Sequence, residues 1–160
     1  MPSFRTTRRV AYTPRQMFDL VADVDRYPEF LPLCEGLVVS SRVREGEREV
    51  LIASMTVGYK AIRETFTSRV TLDPAALTVT AERAADSAGP FRRLDNTWSF
   101  REAPGGQCDV GFDIAYEFKS MMLQALVGAL FERAFRRYTR AFEERAQAVY
   151  GAASSARRTS

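Results

Sequence analysis

Residues 120–150 read SMMLQALVGALFERAFRRYTRAFEERAQAVY, a stretch with no proline and one glycine, Gly128. Apolar residues recur at three- and four-residue steps: Leu123, Val127, Leu130, Ala134, Tyr138 and Ala141, then Val149 one turn beyond Arg145. That period specifies a long amphipathic helix. Ser120 is the expected N-cap and Gly151, followed by small polar residues, the expected stop. At 1.5 Å per residue such a helix reaches roughly 45 Å, the length of a small domain. Its first half, Met121 to Phe131, is apolar nearly all round, whereas the second half carries Arg133, Arg136, Arg137, Arg140, Glu143 and Glu144. This gradient predicts a helix buried at its start and wet along one face near its end. Almost everything upstream reads as strand, so the helix is expected in the trough of a curved sheet.

The chain has 160 residues with a formal charge of +3. One domain over residues 1–150 is expected, followed by a disordered tail at 151–160. Mild basicity permits contact with acidic lipid or RNA, and DNA is not an expected partner. The sequence contains no histidine. That removes the usual general base, the usual metal ligand and every histidine-dependent triad. Cys34 and Cys108 are the only cysteines, and they read as small buried apolar residues. A disulfide between them is left open. No apolar run is long enough to span a bilayer and the start has no signal-peptide pattern, which predicts a soluble cytoplasmic protein.

In chain order, Phe4 to Tyr12 reads as a first strand, and Thr13-Pro14 opens a short helix with Met17, Phe18, Leu20 and Val21 on its apolar stripe. A second short turn follows at Arg26 to Phe30. The apolar segment Tyr27 to Cys34, with prolines at 28 and 32, reads as a plug sealing the core, as a flap over a cavity mouth, or as both. From Gly36 to Phe118 strands alternate with turns. The clearest period-2 pattern puts Cys108, Val110, Phe112, Ile114, Tyr116 and Phe118 on one face. The same arithmetic puts Leu94, Asn96, Trp98 and Phe100 there, with Ile62, Glu64, Phe66, Ser68 and Val70, and with Leu51, Ala53, Met55 and Val57. The expected architecture is α+β: six to seven antiparallel strands curved around the terminal helix, with two short helices after strand 1.

The covered face is rich in aromatic and methionine side chains, and two readings stay open: a dry packed core, or an apolar pocket for lipids or ring systems. Glu64 and Asn96 either pair internally with arginine or backbone, or offer polar contacts to a ligand head group. Catalysis is poorly supported: no nucleophile stands with a base and no glycine-rich loop suits a phosphate, and a cyclase-like enzyme using Glu64 as acid or base is the weakest of the readings. The turn Ser87 to Arg93 is an ordinary hairpin, or else its Phe91, Arg92 and Arg93 touch an anionic membrane. Arg133, Arg136, Arg137 and Arg140 form either the wet side of the helix or a surface for RNA phosphates.

Several stretches resemble a known family. Tyr27-x-x-Phe30-Leu31-Pro32-x-Cys34 looks like the Y-x-x-F-L-P-W-C signature of coenzyme Q-binding proteins of the START-like, polyketide-cyclase-like superfamily. Gly89-Pro90-Phe91-Arg92-x-Leu94, followed by Trp98 and Phe100, is similar to that family's G-P-F-x-x-L…W-x-F hairpin. Phe118-Lys119-Ser120 and Phe142-Glu143-x-Arg145-Ala146 match as well. The resemblance implies a helix-grip fold and an apolar tunnel binding ubiquinone or another polyprenyl lipid, with a carrier role in respiration and no catalysis. It also implies peripheral contact with the inner face of the cytoplasmic membrane. Relatives with the same signature are named ribosome-association toxins, which implies the large ribosomal subunit as an alternative partner. Joined to the covered face, the tunnel gives as expected ligand contacts Phe30, Leu31, Leu33, Met55, Val57, Glu64, Phe66, Leu94, Asn96, Trp98, Phe112, Tyr116, Met122, Leu126 and Leu130. Leu33 stands where the signature has tryptophan.

Overall fold

The computed structural model describes residues 2–85 and 87–151, and the expected tail beyond Gly151 lies outside them. Its strands are β1 (Ser3–Val10), β2 (Cys34–Glu45), β3 (Arg48–Tyr59), β4 (Ile62–Asp73), β5 (Thr78–Arg83), β6 (Phe91–Ala103) and β7 (Gln107–Phe118). Helix α1 (Pro14–Ala22) and a 3-10 turn (Val24–Glu29) follow β1, and helix α2 (Met121–Tyr150) follows β7. The strands form one sheet in the order β1-β7-β6-β5-β4-β3-β2, every neighbouring pair antiparallel. The expected α+β helix-grip architecture is present.

The local signals act as their chemistry requires. Thr13 caps α1 in a reciprocal box with Gln16, and Pro14 occupies the first turn, where its missing N–H costs nothing. Ser120 Oγ accepts from Leu123 N at 3.1 Å. Gly151 ends α2 at φ +74°, its N–H donating to the Gln147 carbonyl at 2.9 Å. Along β7 the even-numbered side chains from Cys108 to Phe118 are all buried and the odd ones are not. On the outer face Arg5 meets Asp113 at 2.8 Å, while Arg9 holds Asp109 through two contacts. The Arg9 hydrogen bond keeps the Asp109 carboxyl below its ordinary range. Both outermost strands carry charge, and β2 is broken by register shifts between Cys34 and Gly36 and between Val39 and Ser41.

The later part of α2 is wet along one face, as expected, but its first turns depart from the expectation. Met121, Met122 and Leu126 are 88%, 72% and 62% exposed, whereas Phe131, Ala134, Phe135, Tyr138, Ala141, Phe142 and Ala146 are buried. Met121, Met122 and Leu126 lie on the side of the first turns away from the core, while Leu123 packs against it and Val127 is buried in it. Farther along, Phe142 packs edge-on against Tyr27, Phe30 and Trp98, with ring centroids 5.4, 5.1 and 5.1 Å away. Phe131 meets Phe91 at 4.7 Å and Phe66 at 5.7 Å.

Candidate functional site

An apolar hollow lies inside the sheet. Strands β3 to β7 contribute Ala53, Met55, Phe66, Ser68, Val70, Val79, Ala81, Leu94, Asn96, Trp98 and Ile114. Val24 and Tyr27 close it from the 3-10 turn, Leu37 from β2 and Phe135 from α2. The unfilled space is about 80 Å³. An engineered cavity of about 150 Å³ accepts one benzene, so a ring with an isoprenoid tail enters only if wall side chains move. Met55 is suited to that movement. It is unbranched and half-buried, and its sulfur is held by one weak contact, 3.8 Å from the Tyr138 hydroxyl.

Among the expected contacts, Met55, Phe66, Leu94, Asn96 and Trp98 converge on this hollow. Leu31, Val57, Phe112, Tyr116 and Leu130 are buried in the surrounding core without lining it. Phe30 belongs to the closed end of the grip, sandwiched between Phe142 and the Arg145 guanidinium, which stands 4.9 Å over its ring. Leu33 sits half-buried in left-handed backbone at φ +63°, and its carbonyl accepts from Gly58 N at 2.9 Å. Met122 and Leu126 are in solvent, on the side of the helix start away from the core, which removes them as tunnel residues.

Glu64 is half-buried opposite Val57 near the start of β4, beside the exposed Ile62 and away from the hollow. Asn96 does line the hollow, and its Nδ2 donates to the Asp113 carbonyl at 2.8 Å. One hydrogen bond therefore fixes the amide and leaves its carbonyl oxygen as acceptor.

The membrane expectation for Phe91 fails on burial. Phe91 is 3% exposed, stacked at 5.1 Å on Phe118 and edge-on to Phe66 at 5.4 Å. A register shift between Phe91 and Arg93 inserts Arg92 as an extra residue, so Phe91 and Leu94 both point inward. Arg92 and Arg93 stay outside, paired with Glu117 and Asp95. Gly89 makes the approach possible: it lies at φ +124°, and a Cβ there would come 2.8 Å from the Thr65 carbonyl.

The thiols and phenols enclosed in the core are held in their neutral form. Both cysteines are free and buried, and burial pushes each thiol up to about 11. Burial also drives the Tyr27 and Tyr138 hydroxyls far above their ordinary value. Tyr27 donates to the Val21 carbonyl, which locks the 3-10 turn to α1. The arrangement offers an apolar guest contact area and a few hydrogen-bonding groups. The period-2 reading of β5 was the missed signal, since Val79 and Ala81 alternate in TVTAER and form the floor.

A family profile described as "Polyketide cyclase / dehydrase and lipid transport" matches residues 10–143. The chain belongs to this family. Within it, the chain is similar to the Ribosome association toxin RatA of Pseudomonas aeruginosa, 34% identical over 88% of this chain and 92% of that protein. It is also similar to the mitochondrial coenzyme Q-binding protein coq10 of Schizosaccharomyces pombe, 36% identical over 79% of this chain and 77% of that protein. Among solved structures, an 18 kDa protein from Caulobacter crescentus shares 36% identity with a TM-score of 0.75, covering 95% of this chain and all of that one. An aromatase/cyclase from Streptomyces superposes with a TM-score of 0.79 at 16% identity, over 95% of this chain and 97% of that one, which shows the family fold alone. No helix among the described residues is long and apolar enough to cross a membrane.

Proposed function

We propose that the protein binds ubiquinone or a similar polyprenyl lipid between the sheet and α2 and carries it in support of respiratory electron transport, without catalysing a reaction. The observation that carries this reading is the apolar hollow walled by Trp98, Phe66, Leu94 and Met55, with the Asn96 carbonyl as its fixed polar group. The name of the fission-yeast relative and the family's description favour the same class of guest. Ring faces and aliphatic walls suit a quinone and its tail, and removing that surface from water drives the binding. A cytoplasmic carrier touching the inner face of the membrane fits such a cargo.

Organic extracts of the purified protein, analysed by mass spectrometry, are expected to contain quinone. Ala81→Leu grows a side chain into the hollow and should lower the quinone recovered at least fivefold with the fold intact. Leu126→Arg, on the exposed helix start, should leave it unchanged. No quinone in the wild type, or full recovery from Ala81→Leu, would count against the carrier.

A second reading rests on a different surface. Arg133, Arg137 and Arg140 are exposed on one face of α2 with no carboxylate in ion-pair contact among the described residues, whereas Arg136 is held by Glu132 at 3.1 Å. Arg133 lies 4.8 Å over the Tyr59 ring, and a row of guanidinium groups without carboxylate partners suits RNA phosphates. Several similar proteins are named for ribosome association. Arg137→Glu with Arg140→Glu should abolish co-sedimentation with large ribosomal subunits and leave quinone content alone. Sedimentation unchanged by the double reversal would remove this reading.

A further inference from the structure

Next to residues that line the hollow stands a cation that no carboxylate among the described residues neutralises. Strand β5 turns Val79, Ala81 and Arg83 to one face by its two-residue period, and Val79 and Ala81 line the hollow. Register sets Arg83 opposite Ser68, which is buried and also lines it. Ala81, one step inward, is paired with Asn96. The polar groups of an otherwise apolar chamber are thus gathered at one end of its floor.

Three arginines among the described residues are half-buried: Arg8, Arg83 and Arg145. Arg8 Nε meets Glu143 at 2.6 Å, and Arg145 Nη2 meets Glu29 at 2.9 Å. Among the described residues Arg83 has no such carboxylate. Its Nη1 donates to the carbonyl of the adjoining Ala84 at 3.2 Å, and its Nε is buried with no acceptor. A guanidinium stays charged at any physiological pH, and a buried N–H without an acceptor is costly. This arrangement is unfavourable in the empty protein and is relieved by an acceptor brought from outside.

We propose that Arg83 is the head-group anchor of the hollow and that the lipid it selects carries an acidic head, a carboxylate. One carboxylate oxygen accepts from Arg83 Nε–H while the apolar body lies along Ala81, Val70 and Trp98. The inference rests on the lipid-binding reading above and narrows it. A neutral quinone carbonyl meets the same donor without the charge, and a charge-assisted hydrogen bond is roughly twice as strong as a neutral one.

Trp98 is the only tryptophan and lines the hollow, so its fluorescence reports occupancy. Delipidated protein is titrated with decanoate and with 1-decanol, which share a tail and differ at the head, and separately with decyl-ubiquinone. Wild type is expected to bind decanoate about tenfold more tightly than decanol, within the range of one hydrogen bond to a charged group. Arg83→Met should abolish that preference, lowering decanoate affinity far more than decanol affinity, and Arg83→Lys should restore part of it. Thermal melts of both variants verify folding. Equal affinities for the two heads in wild type, or a preference surviving in Arg83→Met, overturns the acidic-head inference. If decyl-ubiquinone still binds in that case, the carrier reading stands. If decanoate binds through Arg83 and the quinone does not, the inference stands and the quinone reading falls. Binding of none of the three overturns both.

Discussion

The first turns of α2 and the remainder of the helix both carry large apolar side chains, in different environments. Met121, Met122 and Leu126 face water, while Phe131, Phe135, Tyr138 and Phe142 are enclosed by the sheet, α1 and the Tyr27 segment. The first half is a helix because its local signals are good: a serine cap, no proline, strong helix formers. The second half is a helix that the rest of the chain closes around. Apolar residues are thus compatible with either fate, and what decides is whether they face the core.

The largest effect that can break this contrast is a truncation in the enclosed half. Phe142→Ala removes a fully buried ring from contact with Tyr27, Phe30 and Trp98. It should cost about 3–5 kcal/mol and lower the melting temperature by on the order of 10 °C. A loss below about 1 kcal/mol would mean that the grip is looser than its packing implies. Next in size is an alkaline transition of the enclosed core. Both thiols ionise near 11 when folded, against an ordinary 9.0. Folding therefore favours their neutral form, and this contribution is complete below about pH 9 and disappears as pH rises toward 11, on the order of 2 kcal/mol for each cysteine. Urea midpoints measured from pH 8 to 11 should fall in wild type and fall less in a Cys34→Ala, Cys108→Ala double variant.

Smaller effects belong to the exposed half. Ser120→Ala removes the only side-chain cap of α2 and should cost about 1 kcal/mol. Hydrogen exchange should show the change in the first turn, with the amides around Phe142 unaffected. Smallest of all, Leu126→Gln should alter stability by less than about 0.5 kcal/mol, since little of Leu126 is in contact with anything. A larger loss in a thermal melt would mean that the helix start is covered in solution.

Much of the fold was readable from residues. The bounds of α2 follow from Ser120 and Gly151, and the face of β7 follows from strict alternation, because both depend on neighbours in sequence. The errors arose where burial depends on distant chain. Met122 and Leu126 read as tunnel residues because hydrophobicity says what a side chain prefers and nothing about which side of the helix the core takes. Phe91 read as part of an exposed turn because period-2 counting back from Leu94 skips it, and only the extra residue at Arg92 turns it inward. A third of the residues lining the hollow were legible as ligand contacts: Met55, Phe66, Leu94, Asn96 and Trp98. The floor at Val79 and Ala81 was not, because a six-residue strand gives few alternations to count.

The two rims of the sheet have a bearing on how the protein behaves at high concentration. An unpaired strand invites a second molecule to continue the ladder. On one rim the outward side chains of β1 include Arg5 and Arg9, and on the other β2 ends in Arg42, Arg44 and Glu45 after two interruptions of its register. An approaching copy meets bulky, ion-paired arginines on the first and a ladder out of step on the second. That keeps a sheet with two free borders from growing into a fibre while newly made chains accumulate.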